Sequence, residues 1–182
     1  MKKSTPYDII PLGSDNMNEN LTKARELLER SAPLGRFDCG KLCGGLCCKG
    51  DENTGMWLFP HEEELYKDNT NFTIKQTDGN FGYNMIICNG TCNRSERPLA
   101  CRIYPFYPKI DGDRVSVIRD LRGLSSCPIL KEEIKPDPRF LRNLRKATRY
   151  LIRDEETKNY ILNMQQEIEE MAELIAQMGD LF

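Results

Sequence analysis

Eight cysteines constrain this chain more than any other feature of its sequence. They are Cys39, Cys43, Cys47, Cys48, Cys88, Cys92, Cys101 and Cys127, all in the middle of the chain. The first four share the block FDCGKLCGGLCCKG at 37–50 with Gly40, Gly44, Gly45 and Gly50. So much glycine argues against an ordinary helix or strand, because each glycine gives up more backbone freedom on ordering than any other residue. The block is expected to be a loop folded around something. Its glycines would let the backbone turn tightly, often at positive φ, and bring sulfurs together. Successive amide N–H groups in such a turn can also offset thiolate charge.

Three uses compete for the cysteines: disulfides, free thiols and metal ligation. The chain starts Met1-Lys2-Lys3-Ser4-Thr5-Pro6-Tyr7-Asp8, and no apolar run follows the lysines. No secretory leader is therefore expected. No apolar stretch approaches the ~20 residues of a membrane span. The expected compartment is the cytoplasm, whose reducing conditions favour thiolate–metal bonds over disulfides. A net charge of −2 gives no general attraction for nucleic acid, and none is expected as a partner.

Soft sulfur ligands select zinc, copper(I) or iron–sulfur clusters. Spacing does not choose between zinc and iron–sulfur. Cys-x-x-Cys is absent, and so is the bacterial ferredoxin run, although Cys127-Pro128 resembles its last step. Neighbouring side chains of an extended chain point to opposite faces. Cys47 and Cys48 therefore either serve two metals, or one of them packs in the core. Eight sulfurs would fill two four-sulfur sites, and one or two sites both remain open. Cys127 is the most isolated and the first candidate for a plain core role.

The expected fold class is α+β: a small, irregular, cysteine-rich metal-binding core with two β-hairpins, an N-terminal helix and a C-terminal helical hairpin. Residues 1–35 form an arm and a helix, 36–130 the cysteine-cluster domain, and 131–182 the helical hairpin. Pro6, Pro11 and Gly13 suit an irregular arm. Ser14 or Asp15 can cap a helix from about Asn16 to Ser31, with Met17, Leu21, Ala24 and Leu28 on one face. Met56-Trp57-Leu58-Phe59 reads as a short strand. Pro60 suits a helix start, with Glu62, Glu63 and Glu64 solvated behind it. Phe72–Gln76 and the alternating Phe81, Tyr83, Met85 and Ile87 flank Asp78-Gly79-Asn80, a hairpin signal. A second hairpin is expected around Asp111-Gly112-Asp113. Asp137 and Asp154 can cap helices running to about Ile152 and Met178. In the last helix Ile161, Met164, Ile168, Met171, Ile175 and Met178 form a heptad-like seam, which would pack on the domain or meet a homodimer or protein partner.

The block Cys39-x3-Cys43-x3-Cys47-Cys48, with Cys92, Arg97-Pro98-Leu99-Ala100-Cys101-Arg102 and Tyr104-Pro105-Phe106, resembles the bacterial cysteine-cluster proteins described as a zinc- or iron-chelating domain of CxxCxxCC type. The resemblance covers about residues 36–130 and implies cysteine-based metal binding. One branch of that family, the flagellin lysine N-methylases, is longer. This chain shows no glycine-rich loop for S-adenosylmethionine, so methylase activity is not carried over. Members usually place an aliphatic–tyrosine pair before the Arg-Pro, where this chain has Asn93-Arg94-Ser95-Glu96.

Arg97 and Arg102 could balance thiolate charge, hold an anion, or bond loop carbonyls. Tyr104, Phe106 and Tyr107 suit an apolar wall around a metal. His61, the only histidine, reads as a solvated helix-start residue. Arg139, Arg142, Arg145, Lys146 and Arg149 read as a solvated basic face. Two functions follow: a metal-binding module without chemistry of its own, or an iron–sulfur enzyme or electron carrier. No phosphate loop, HExxH or serine-nucleophile motif adds a catalytic signal.

Overall fold

The structure is a computed structural model that describes residues 14–49, 54–76, 82–90 and 92–179. The N-terminal arm, Gly50 and the Asp78-Gly79-Asn80 turn with Phe81 lie outside the described residues. The fold is α+β, and the described residues form two small antiparallel sheets among six α-helices. Among the described residues no helix is long and apolar enough to cross a membrane.

Helix α1 spans Ser14–Glu29 and buries Leu21, Ala24 and Leu28, the face that the i, i+3, i+4 spacing predicts. The side chain of Met17 lies outside the described residues. Strand β1 is only Met56–Trp57 and pairs with β3, Asn84–Cys88. Strand β2, Phe72–Gln76, pairs with the other edge of β3, from Phe72 opposite Cys88 to Gln76 opposite Asn84. Neighbouring Met85 and Ile86 point to opposite faces and are both buried, so β3 is covered on both faces there and the expected alternation breaks down. Strands β4, Phe106–Asp111, and β5, Arg114–Arg119, form the second hairpin around Gly112-Asp113. Gly112 supplies the positive φ of 54° that this tight turn needs.

Helix α5, Pro138–Leu151, starts where Asp137 accepts hydrogen bonds from the N–H groups of Arg139 and Phe140. Helix α6, Glu155–Gly179, starts where Asp154 accepts from the Thr157 N–H and hydroxyl. The two follow each other closely, yet α5 lies along α1 and beside β5, while α6 lies against β4. Phe140, Leu144, Tyr160, Ile161, Met164 and Ile168 meet Leu28, Leu99, Phe106 and Ile129 in one core. Each such side chain contributes about 1.5–3 kcal/mol on full burial. Gln165 closes the open edge of β4: its Oε1 accepts from Ile110 N at 2.8 Å and its Nε2 donates to Ile110 O at 3.4 Å. Beyond Ile168 the seam leaves the body, and Met171, Leu174 and Met178 are exposed.

Glu62 corrects the sequence reading. It was expected in solvent with Glu63 and Glu64, but its exposure is 0%. Its carboxylate accepts from the Arg25 guanidinium, from Leu99 N at 2.8 Å and from Phe59 N at 3.4 Å. Burial raises its pKa, against the pull of Arg25 and the two amides. The carboxylate thus anchors three segments, one of them the start of α3, Leu99–Ile103, which carries Cys101.

Candidate functional site

The glycine–cysteine block is built from two single turns of helix rather than an irregular loop. Helix α2 is Gly40–Cys43, and a 3-10 turn follows at Leu46–Cys48. Gly44 and Gly45 separate them at φ 63° and 71°, left-handed values that a Cβ would strain. Cys39 precedes α2 and Cys43 ends it, while Cys47 and Cys48 lie on the 3-10 turn. A bridge between Lys49 and Asn89 ties this block to the end of β3, where Cys88 stands. Cys92 follows β3, Cys101 lies in α3, and Cys127 precedes α4, Pro128–Lys131.

None of the eight sulfurs is joined to another, and all eight face two adjoining cavities. The larger holds about 50 Å3 and is lined by Cys39, Cys47, Cys48, Cys88, Cys92 and Cys101. The smaller holds about 20 Å3 and is lined by Cys39, Cys43, Cys47 and Cys127. Tyr104 lines both. Cys127, the expected outlier, belongs to the smaller group and is half-buried like all the others except the exposed Cys47. His61 lines neither cavity; it is about a third exposed and pairs with Glu156 on α6 at 2.9 Å. Among the described residues no three His, Cys, Asp or Glu side chains already stand close enough to hold a metal ion.

The thiols act on one another across both cavities, and Cys47 feels Cys39 as well as Cys48 and Cys101. Burial raises the Cys101 pKa, and the other thiols acting on it are Cys48, Cys92 and Cys88. Burial also raises Cys39, and its thiol neighbours are Cys43 and Cys127. Cys92 is raised by burial although Arg97 donates a hydrogen bond to it. Cys47 and Cys48 share one hydrogen bond, which raises Cys47 and lowers Cys48 to about 6. One thiolate thus forms readily, on Cys48, held by its neighbour's proton.

The two arginines differ. Arg102 is buried and donates to three carbonyls, Arg97 O at 2.7 Å, Arg25 O at 3.0 Å and Ser95 O at 2.7 Å, so it is a brace for the loop before α3. Arg97 lines the larger cavity, and its Nε is buried with no hydrogen-bond partner. A buried donor left over beside several thiols suits a cavity that takes on negative charge. The rest of that wall includes apolar Met56, Phe72 and Ile86. Tyr104 is held close against Gly123, where a Cβ would sit 1.7 Å from its hydroxyl oxygen. Phe106 and Tyr107 are buried but do not line either cavity; they belong to the core of the body. Eight thiols free of disulfides, an Arg97 that also pairs with Asp38 at 3.9 Å but keeps a partnerless Nε, and no carboxylate in either lining form a donor set that fits a soft cation.

No protein-family model, curated protein or solved structure matches this chain.

Proposed function

We propose that this protein binds soft metal through cysteine thiolates, as zinc or an iron–sulfur cluster, at two neighbouring four-sulfur centres. The observation that carries the reading is that all eight cysteines, drawn from six separate segments, line two adjoining cavities. Cys43 and Cys127 line only the smaller one, so a four-sulfur centre there needs the two shared residues, Cys39 and Cys47. That leaves Cys48, Cys88, Cys92 and Cys101 for the larger. Adjacent Cys47 and Cys48 then serve different centres. The reading agrees with what the resemblance to bacterial cysteine-cluster proteins implies.

The protein's own residues have defined parts. Binding would draw together sulfurs that stand at helix ends and strand ends around the two cavities. Arg97 would balance thiolate charge at the larger centre, Tyr104 would stand between the two, and Arg102 and Glu62 would hold α3 so that Cys101 keeps its place. A bound metal supplies folding energy to segments with little apolar core.

Anaerobic purification followed by metal and sulfide analysis and a visible spectrum tests the proposal. Two zinc ions per colourless chain, or iron with equal sulfide in a brown one, supports it; a metal-free protein overturns it. Cys43→Ser with Cys127→Ser, and Cys88→Ser with Cys101→Ser, should each remove half of the metal. Loss of all metal in both variants would mean one shared centre. Cys47 is the most exposed of the eight cysteine residues, and this favours a second reading for an iron-loaded protein, electron transfer. Reversible bleaching on reduction would support it.

A further inference from the structure

We propose that a bowl between the end of α1 and the start of α5 binds a phosphate-bearing small molecule through Arg30, Arg36, Arg139 and Arg142, with Ser31 completing its wall. The bowl holds about 550 Å3. This lies within the range of roughly 300–1,000 Å3 typical of small-molecule sites. It shares no residue with the cysteine cavities, so the proposal stands apart from metal binding.

Charge is the first argument. Four arginines line the bowl and only one acid, Asp137. Asp137 is already engaged as the cap of α5, accepting from Arg139 N at 2.6 Å and Phe140 N at 3.2 Å. Among the described residues none of the four arginines has an ion-pair partner. Like charges gathered on a concave wall repel one another, and a multivalent anion relieves them all at once. Guanidinium forks match the paired oxygens of a phosphate.

The second argument is independent of charge. Ser31 lines the same bowl and is only 3% exposed, and its hydroxyl has no hydrogen-bond partner. A buried hydroxyl without a partner is costly, and an oxyanion in the bowl would accept its proton.

The wall is also built to stay in place. Asp137 N donates to Pro33 O at 2.8 Å, joining the chain after α1 to the start of α5. Asn143 Nδ2 donates to Leu27 O at 3.1 Å. Arg94 donates to Glu29 O at 3.0 Å and Ser31 O at 2.9 Å. Gly35, at φ 66°, lets the chain pass so close to Asp137 that a Cβ there would lie 2.7 Å from Oδ2. The arginines are therefore carried on fixed backbone, and the concave shape favours a compact ligand over an extended nucleic acid.

The test is calorimetric titration of the full chain as purified, using inorganic phosphate, pyrophosphate and adenosine triphosphate as probes and a single-stranded oligonucleotide as the competing class. Binding should tighten with the number of phosphates. Arg139→Ala with Arg142→Ala should weaken pyrophosphate binding about tenfold or more. Arg36→Lys keeps the charge but loses the fork, and should weaken it about threefold. Ser31→Ala should weaken it with an unchanged circular dichroism spectrum. The proposal is overturned if no probe binds by about 10 mM. It is equally overturned if the double variant binds as the natural chain does, or if only a single-stranded oligonucleotide binds.

Discussion

Around Phe140, side chains from α1, α5, α6 and the β4–β5 hairpin enclose one another almost completely, whereas no residue from Phe37 to Lys49 is fully buried. The first region can be stable by apolar burial alone. The second cannot: it leaves Phe37, Leu42 and Leu46 nearly half exposed, and of its residues only Cys39 packs against the main core. Its two short helical turns are far below the length at which a helix holds itself. A cation shared by distant sulfurs is the kind of force that could organise it, as disulfides do in secreted domains of similar poverty.

The largest expected effect follows from that contrast. Removing metal with a chelator should abolish amide protection in 39–48 and 88–96 while α1, α5 and α6 keep theirs, as read by hydrogen exchange. Structural zinc supplies about 10–16 kcal/mol of apparent binding energy in small domains, so the loss should be complete rather than partial. Equal loss in the helical body, or no loss anywhere, would break the division. Next in size is Phe140→Ala, which removes a ring that is 1% exposed and should cost about 3–5 kcal/mol in thermal or urea unfolding. Metal content at room temperature should not change. A drop in metal content would show that the two regions depend on each other more than their packing suggests.

Much of the body was legible in advance because its signals are local. Asp137 and Asp154 stand where a cap is needed, Leu21, Ala24 and Leu28 repeat on one face, and Gly112 marks its turn. The site was legible as an inventory of sulfurs but not as an arrangement. Cys47 and Cys48 were judged by the geometry of an extended chain, while they lie on a 3-10 turn. Gly44 and Gly45 have the positive φ expected of such a block, but Gly40 belongs to a helix. Glu62 was hidden because three consecutive glutamates read as solvated, and its partners come from Arg25, Phe59 and Leu99. The arginine bowl was half visible: Arg139 and Arg142 belong to the basic stripe of α5, but nothing local shows that Arg30 and Arg36 meet them.

Glu62 joins the two regions, so its removal sharpens the comparison. Every partner of its carboxylate is a donor, and the amide nitrogen of Glu62→Gln would face donors while Arg25 lost its counter-charge. A cost of about 3 kcal/mol is expected, the lower end for breaking a buried pair. Because Leu99 N is one of those partners and Cys101 lies two residues on, metal should be lost from the larger centre before the smaller. Equal loss from both centres would mean that Glu62 serves the body alone.

The smallest effect is confined to one sulfur and leaves stability unchanged. In the metal-free chain the Cys47 thiol donates to Cys48 and lowers it to about 6, while burial raises Cys101. A lowered thiol pKa means that the thiolate is the main form above that pH and is lost as pH falls through it. Iodoacetamide should therefore modify Cys48 first, at a rate that rises through about pH 6, while Cys101 stays unreactive at neutral pH. Mass spectrometry of the modified peptides reads both sites in one sample. Cys47→Ala should move the Cys48 rise to higher pH, because it removes the donor that holds the Cys48 thiolate. Metal loading should protect both sulfurs at neutral pH, and the protection should fade as acid protonates the thiolates. Modification of Cys48 and Cys101 in step, with or without metal, would mean that the two sulfurs share one environment and that neither is a ligand.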